Sequence, residues 1–129
     1  SGSGITYRRG GNTDKKQKEG IDMYKNIVKD EVIELKNLVE YKDGQIVSKT
    51  LVQNEKVSVT LFSFEKGEEI STHTAGGDAM VTVLDGVGKF TVGGKERIVK
   101  AGETLIMPKD IPHAVYGEER FKMILIVSC

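Results

Sequence analysis

Three observations predict that the chain folds as an all-β domain, built as an antiparallel sandwich or barrel. Beyond Tyr41 the chain consists largely of short segments in which apolar and polar residues alternate, which is the pattern of strands with one buried face. Glycine or proline separates most of these segments, as expected of tight turns between strands. No helical pattern is long enough to cover a parallel sheet, so antiparallel pairing is expected.

The chain before this region divides into two parts. Residues 1–22 are polar, with several lysines, arginines and glycines, and we interpret them as a solvated arm that opens on an artificial Ser-Gly-Ser-Gly linker. Residues 23–129 are expected to form the folded domain. At its start the pattern is mixed, and it predicts a strand near Val32–Ile33 and one helical turn around Leu35–Val39.

Nine strands are expected in the alternating region. In chain order they are Ile46–Val52, Lys56–Glu65, Ile70–Thr74, Met80–Leu84, Lys89–Val92, Lys95–Val99, Thr104–Met107, His113–Tyr116 and Phe121–Val127. Gly93-Gly94 predicts a two-residue hairpin turn, because both positions of a type I′ turn need positive φ. Turns are also predicted at Asn54-Glu55, Lys66-Gly67 and Asp85-Gly86.

The last strand contains an unbroken apolar run from Met123 to Val127. Such a run indicates a strand that is covered on both faces. The cover could come from the other sheet together with the N-terminal arm, or it could come from a second subunit. A homodimer is therefore one prediction from this run, and both sources of cover stay open.

The composition narrows the class of protein. With 129 residues the chain has the size of one domain. It carries 19 basic and 19 acidic side chains, a balance that favours neither nucleic acid nor a membrane surface as partner. Its single cysteine, Cys129, excludes an internal disulfide. No apolar run approaches the roughly 20 residues that span a bilayer, and no signal peptide is recognised, so a cytoplasmic protein is expected.

The two histidines of the chain are the candidate functional residues. His73 follows Gly67 after five intervening residues. Pro108 follows Gly102 after five intervening residues, and His113 lies five residues beyond Pro108. Imidazole is the commonest metal ligand in proteins, and it titrates near neutral pH. Two imidazoles that meet inside one barrel would form a site.

This spacing resembles the two sequence motifs of the cupin family, and in particular of its small single-domain bacterial members with a cupin type-2 conserved barrel. The first motif reads Gly, five residues, His-x-His, three or four residues, Glu, six residues and Gly. The second reads Gly, five residues, Pro-x-Gly, two residues, His, three residues and Asn. The matching positions are Gly67, His73, Gly86, Gly102, Pro108 and His113. Asp110 and Gly117 replace the second motif's internal Gly and its Asn. The resemblance implies a jelly-roll β-barrel.

The resemblance also implies a metal ion held by three histidines and one glutamate, but this chain departs from that set. Ala75 stands at the position of the second histidine and Ala79 at that of the glutamate. His73 and His113 therefore carry over, with Asp78, beside the glutamate position, as a candidate third ligand. Such a set would suit a divalent ion such as Fe, Mn, Zn or Ni. The alternative role of Asp78 is to cap a turn.

Three functions are open at this point. Alanines in place of His and Glu would enlarge the barrel interior and make it apolar, which favours a pocket for a small organic ligand with a carboxylate, a hydroxyl or a sugar-like group. The expected lining is His73, Ala75, Ala79, Met107 and His113. The first alternative is a metal-dependent cupin enzyme (isomerase, lyase or dioxygenase) that uses His73, His113 and Asp78. The second is a dimeric structural or interaction module without pocket chemistry.

Overall fold

The computed structural model describes residues 23–129, so the predicted solvated arm, residues 1–22, lies outside the described residues. A 3₁₀ turn, Leu35–Leu38, precedes seven strands: β1 (Ile46–Gln53), β2 (Val57–Phe64), β3 (Glu69–His73), β4 (Asp78–Val92), β5 (Lys95–Lys100), β6 (Thr104–Met107) and β7 (His113–Ser128). The predicted jelly-roll barrel and helical turn are confirmed. The strand near Val32–Ile33 is wrong, because Val32 is fully exposed there and has no partner strand. No helix within the described range is long and apolar enough to cross a membrane.

The two long strands β4 and β7 form the frame of the barrel. They pair antiparallel along almost their whole length, from Asp78 opposite Ser128 to Val92 opposite His113. In the first half of this pair, β6 lies against β4 and β2 lies against β7, with β1 beyond β2. In the second half, β5 lies against β4 and β3 lies against β7. The strands β3, β7 and β4 therefore lie side by side around His113.

Asp85-Gly86 lies inside β4 and is not the hairpin turn that the sequence predicts. Gly86 has φ +78, and the register with β7 shifts on both sides of it, which marks a bulge. A Cβ atom at Gly86 would lie 1.9 Å from the backbone oxygen of Arg120, so the close approach of β4 and β7 requires glycine here. The predicted break between Tyr116 and Phe121 is also wrong, since β7 continues through it. Four predicted strands thus merge into two.

The other predicted turns are confirmed. Gly93-Gly94 connects β4 to β5 with φ values of +58 and +85, as a type I′ turn requires. Gly67, with φ +86, lies between β2 and β3. Between β1 and β2, the Oδ1 atom of Asn54 accepts hydrogen bonds of 2.8 and 3.0 Å from the amides of Lys56 and Val57. In each case the turn is determined by the residues within it.

Two apolar clusters lie on opposite faces of the strands. The first fills the barrel interior and includes Phe64, Val81, Val83, Phe90, Met107, Phe121 and Met123. The second lies on the outer face of β1, β2 and β7, where the segment around the 3₁₀ turn covers it through residues such as Leu35 and Val39. Burial of these side chains is the main favourable contribution to folding.

The apolar run at the end of β7 alternates between these two clusters. Met123 and Leu125 pack in the interior, whereas Ile124 and Ile126 pack against the outer cluster and the segment Leu35–Val39. Both faces of the run are thus covered by residues of the described range, one by the barrel interior and the other by the segment around the 3₁₀ turn, whereas the arm, residues 1–22, lies outside that range. The homodimer stays a prediction, and it can no longer be argued from this run.

Candidate functional site

A bulge in β3 determines the direction of His73. Ile70 pairs with Val115 of β7, but His73, three residues further along β3, pairs with His113, only two residues back along β7. One extra residue therefore lies at Ser71-Thr72. Successive side chains of a strand alternate between its faces, so in a regular strand residue 73 would face away from Ile70. The bulge returns the imidazole of His73 to the face of Ile70 and His113.

The two imidazole rings are in contact where β3 ends and β7 begins. Their centroids lie 4.4 Å apart, and their planes are inclined at 72°. His113 is only 4% exposed, whereas His73 is exposed to solvent. The structure therefore brings together the two rings that the sequence assigns to one site, with one ring buried and the other accessible.

Backbone carbonyls fix the position of the proton on each ring. Nδ1 of His73 lies 2.8 Å from the carbonyl oxygen of Ser71, and Nδ1 of His113 lies 3.2 Å from that of Ile111. A carbonyl oxygen only accepts hydrogen bonds, so each Nδ1 is the donor. In a neutral ring the lone pair then lies on Nε2. Within residues 23–129 neither Nε2 atom has a hydrogen-bond partner.

The buried ring favours its neutral form. Burial lowers the pKa of His113 below its ordinary value, the hydrogen bond to the carbonyl of Ile111 opposes this in part, and a charge on His73 would lower the pKa further. At neutral pH His113 is therefore an uncharged imidazole. Its Nε2 atom can accept a hydrogen bond.

Asp78, the candidate third metal ligand, caps a turn. Its Oδ1 atom accepts a hydrogen bond of 2.8 Å from the backbone amide of Lys109. Beside it, the amide of Asp110 donates to the carbonyl of Ala75 at 3.1 Å. These bonds tie the loop before β4 to the loop before β7. Asp110 has φ +63, so it adopts the left-handed conformation that the glycine of the motif would adopt without a steric cost.

The donor atoms around the histidines do not fit a resident metal ion. A stable site generally has at least three protein ligands. Across the described range, no three His, Cys, Asp or Glu side chains are placed to share an ion. His73 and His113 supply two nitrogen donors. The pair is therefore better suited to hydrogen bonding with a ligand than to holding an ion.

The remaining residues of the predicted pocket are two core residues and one loop residue. Ala79 and Met107 pair across β4 and β6, and at 1% and 2% exposure both belong to the apolar cluster of the interior. Ala75 is half-buried in the loop before β4. The same interior cluster includes Val115, which lies two residues from His113 on one face of β7. The buried imidazole therefore borders the apolar interior.

A groove of about 360 Å³ lies on the other face of β3, β4 and β7. Residues that line it include Glu69, Ser71, Thr72, Lys89, Ala114 and Tyr116. The sequence does not predict this groove, because the histidines indicate the face of β7 that carries His113 and Val115, and the groove lies on the opposite face. The one sequence feature that could have indicated it is the small Ala114 on the outward face of a strand.

Comparison with known proteins agrees with this geometry. A family model described as a cupin domain matches residues 60–127, which contain both histidines and more than half of the chain. The chain belongs to the cupin family. The membership implied by the motif spacing is therefore confirmed. No curated protein matches this cupin.

Three solved structures illustrate the similarity. A conserved protein of unknown function from Streptococcus pyogenes is 40% identical, with a TM-score of 0.82, over 84% of this cupin and 95% of that chain. A cupin 2 conserved barrel domain protein from Leptotrichia buccalis is 53% identical, with a TM-score of 0.72, over 73% of this chain and 46% of that one. A cupin superfamily protein from Desulfitobacterium hafniense is 30% identical, with a TM-score of 0.78, over 81% and 96%. Their names state no ligand and no reaction.

Proposed function

We propose that this cupin binds a small organic molecule through hydrogen bonds to the His73–His113 pair. The observation that carries the proposal is the orientation of the two rings. Each Nδ1–H donates to a backbone carbonyl, at 2.8 Å for His73 and 3.2 Å for His113, and this leaves two adjacent rings with free Nε2 atoms. Rings held in this way are preorganised, so a ligand does not have to order them.

The protonation state of His113 selects the ligand. The pKa of His113 is lowered, mainly by burial, so its Nε2 atom is an acceptor at neutral pH. A carboxylate has only acceptor oxygens and would face an acceptor. A hydroxyl or an N–H group can donate. Among the ligand groups that the sequence left open, the site therefore favours the hydroxyl.

The surroundings of the rings suit a ligand with an apolar body. Val92 of β4 pairs with His113, and Ile70 of β3 lies on the same face. Both are half-buried, unlike Phe90 and Val115, which the interior encloses. Ligand sites commonly combine such apolar walls with a few placed polar groups. The exposed ring of His73 provides the approach from solvent. We therefore expect an aromatic or aliphatic molecule that carries a hydroxyl group.

The proposal can be tested through the imidazole resonances. The chain contains two histidines, so the His73→Gln and His113→Gln variants assign every imidazole signal in a ¹H–¹⁵N spectrum of labelled protein. Catechol serves as the hydroxyl probe and benzoate as the matched carboxylate probe. We expect catechol to shift the Nε2 signals of both rings at pH 7.5, whereas benzoate leaves them in place.

A titration with Zn²⁺ distinguishes the metal-dependent alternative. If one Zn²⁺ binds per chain, and if both His73→Gln and Asp78→Asn abolish this binding, the pair is part of a metal centre and the present proposal is wrong. Equal shifts with catechol and benzoate would contradict the ligand class. If neither ring responds to any hydroxyl compound in a panel of phenols, diols and alcohols, the pair has a purely structural role.

A further inference from the structure

We infer that this cupin has a second ligand site, in the groove on the outer face of β3, β4 and β7, and that it takes a neutral polyhydroxylated molecule the size of a monosaccharide. This site is separate from the histidine pair. The two lie on opposite faces of the same strands, because residues that alternate along β7 point to opposite sides. The side chains of His113 and Val115 face the interior, and Ala114 and Tyr116 line the groove, which Ile70 and Val115 also border.

The strand register explains why the groove exists. Tyr116 is paired with Glu69 on one side and with Lys89 on the other, so these three side chains form a row across three strands. In the next row Ala114 is paired with Thr91. The methyl group of Ala114 is the smallest side chain there, and it leaves a hollow between longer neighbours. On the β3 side the bulge at residues 71–72 places two residues opposite this one alanine, which widens the hollow.

The polar groups around the hollow are available to a ligand. Ser71, Thr72, Thr91 and Tyr116 each contribute a hydroxyl group to the lining. Within the described part of the chain, none of these hydroxyls makes a hydrogen bond to protein, and neither does the carboxylate of Glu69. Each hydroxyl can donate one hydrogen bond and accept others. A ligand could therefore satisfy several of them at once.

The charges in the groove favour a neutral ligand. The ammonium group of Lys89 lies 3.6 Å from the carboxylate of Glu96 and 4.9 Å from the centre of the Tyr116 ring. It is therefore already compensated, so an anion gains little from it. A cation would be attracted by Glu69 but would also lie near Lys89. A molecule whose groups both donate and accept can use the carboxylate, the ammonium group and the hydroxyls together.

The dimensions suit a small molecule. Glu69 and Lys89 lie on strands on either side of β7, so their backbones are separated by two strand spacings, about 10 Å. A volume of about 360 Å³ is at the lower end of the range of small-molecule sites, which suits one sugar ring.

Saturation-transfer NMR on the full chain tests this site, with D-glucose, D-galactose and D-mannose as probes. We expect at least one sugar to receive saturation from the wild-type protein. L-Alanine, a zwitterion, and putrescine, a cation, should not compete with it. Ala114→Leu fills the hollow and should abolish the signal, whereas Ala114→Ser keeps the space and should retain it. Glu69→Gln should weaken binding about tenfold, as for loss of a hydrogen bond to a charged group.

Further measurements separate the possible causes of failure. A ¹H–¹⁵N spectrum shows whether Ala114→Leu is folded, and Glu69→Gln and Tyr116→Phe, which change lining groups without adding volume, provide an independent test. His73→Gln should lose the catechol response at the histidine pair but keep sugar binding, so the two sites can fail separately. The inference is overturned if no sugar binds the wild-type protein, if folded Ala114→Leu binds as well as wild type, or if alanine or putrescine displaces the sugar.

Discussion

Gly86 and Gly94 are a matched pair for testing the close approach of β4 and β7. Both have positive φ, +78 and +85, so alanine costs about 1 kcal/mol at either position for the left-handed backbone. Their surroundings differ. A Cβ atom at Gly94 meets nothing within 4 Å, whereas one at Gly86 would lie 1.9 Å from the oxygen of Arg120 and 2.8 Å from Cα of Phe121. Both of these contacts are with backbone, so the strands themselves must separate.

The expected cost of Gly86→Ala follows from what this separation would break. Gly86 is opposite Phe121 in the register of β4 and β7, and Asp85 is opposite Lys122. Losing two backbone hydrogen bonds there costs about 2 kcal/mol. Phe121 is fully buried and stacks on Phe64 at 4.6 Å between centroids, and partial loss of this packing adds about 1 kcal/mol. Gly86→Ala should therefore lower the free energy of unfolding by about 4 kcal/mol, against about 1 kcal/mol for Gly94→Ala.

Urea denaturation measures this difference. The chain has no tryptophan, so far-ultraviolet circular dichroism is the appropriate signal, and linear extrapolation gives the free energy of unfolding in water. If the two alanine variants are destabilised to the same extent, within about 0.5 kcal/mol, glycine at position 86 is needed only for its φ angle. The close approach of β4 and β7 would then not be the reason for this glycine.

Three further predictions concern polar groups. Burial lowers the pKa of His113, so as the pH falls the unfolded chain protonates this imidazole more readily than the folded chain does. The stabilising contribution of the neutral ring is therefore complete above about pH 6.5 and is lost as the pH falls towards the folded-state pKa. Urea midpoints between pH 8 and 5 should fall more steeply for the wild type than for His113→Gln. Asp78→Ala removes the acceptor of the Lys109 amide and should lower the free energy of unfolding by about 1 kcal/mol. Hydrogen exchange at that amide should become faster, and an unchanged exchange rate would contradict the capping role. Tyr41→Phe removes a hydroxyl that donates to Asp85 at 2.5 Å and should lower the free energy of unfolding, measured by thermal unfolding, by about 1.5 kcal/mol. A change near zero would show that water takes the place of the hydroxyl as the partner of Asp85.

The sequence predicts the features of this fold that depend on few neighbouring residues. The Gly93-Gly94 hairpin is an example, because two glycines allow the positive φ angles that few other residues adopt. The meeting of His73 and His113 is predicted through the spacing of the motifs. The strand alternation also places Met123 and Leu125 on one face and Ile124 on the other, although their partners are known only from the structure.

The features that the sequence does not predict depend on distant parts of the chain. Asp85-Gly86 looks like a turn, but its glycine is required by the backbone at Arg120, 34 residues later. Asp78 could face the histidines or a loop, and the position of the Lys109 amide decides the outcome. The groove depends on Ala114 lying between residues of two other strands. In each case the register between strands is decisive, and local patterns do not contain it.

The extra residue in β3 affects the groove more than it affects the histidine pair. If one of residues 71 and 72 were deleted, the histidine would lie two residues beyond Ile70 instead of three, and β3 could pair with β7 without interruption. The imidazole would then still lie opposite His113 and on the side of Ile70, because residues two apart along a strand share a face. A substitution of Ser71 or Thr72 would also leave the ring in place. An engineered one-residue deletion should therefore keep the two imidazoles together while it narrows the hollow beside Ala114, where one residue of β3 would replace two.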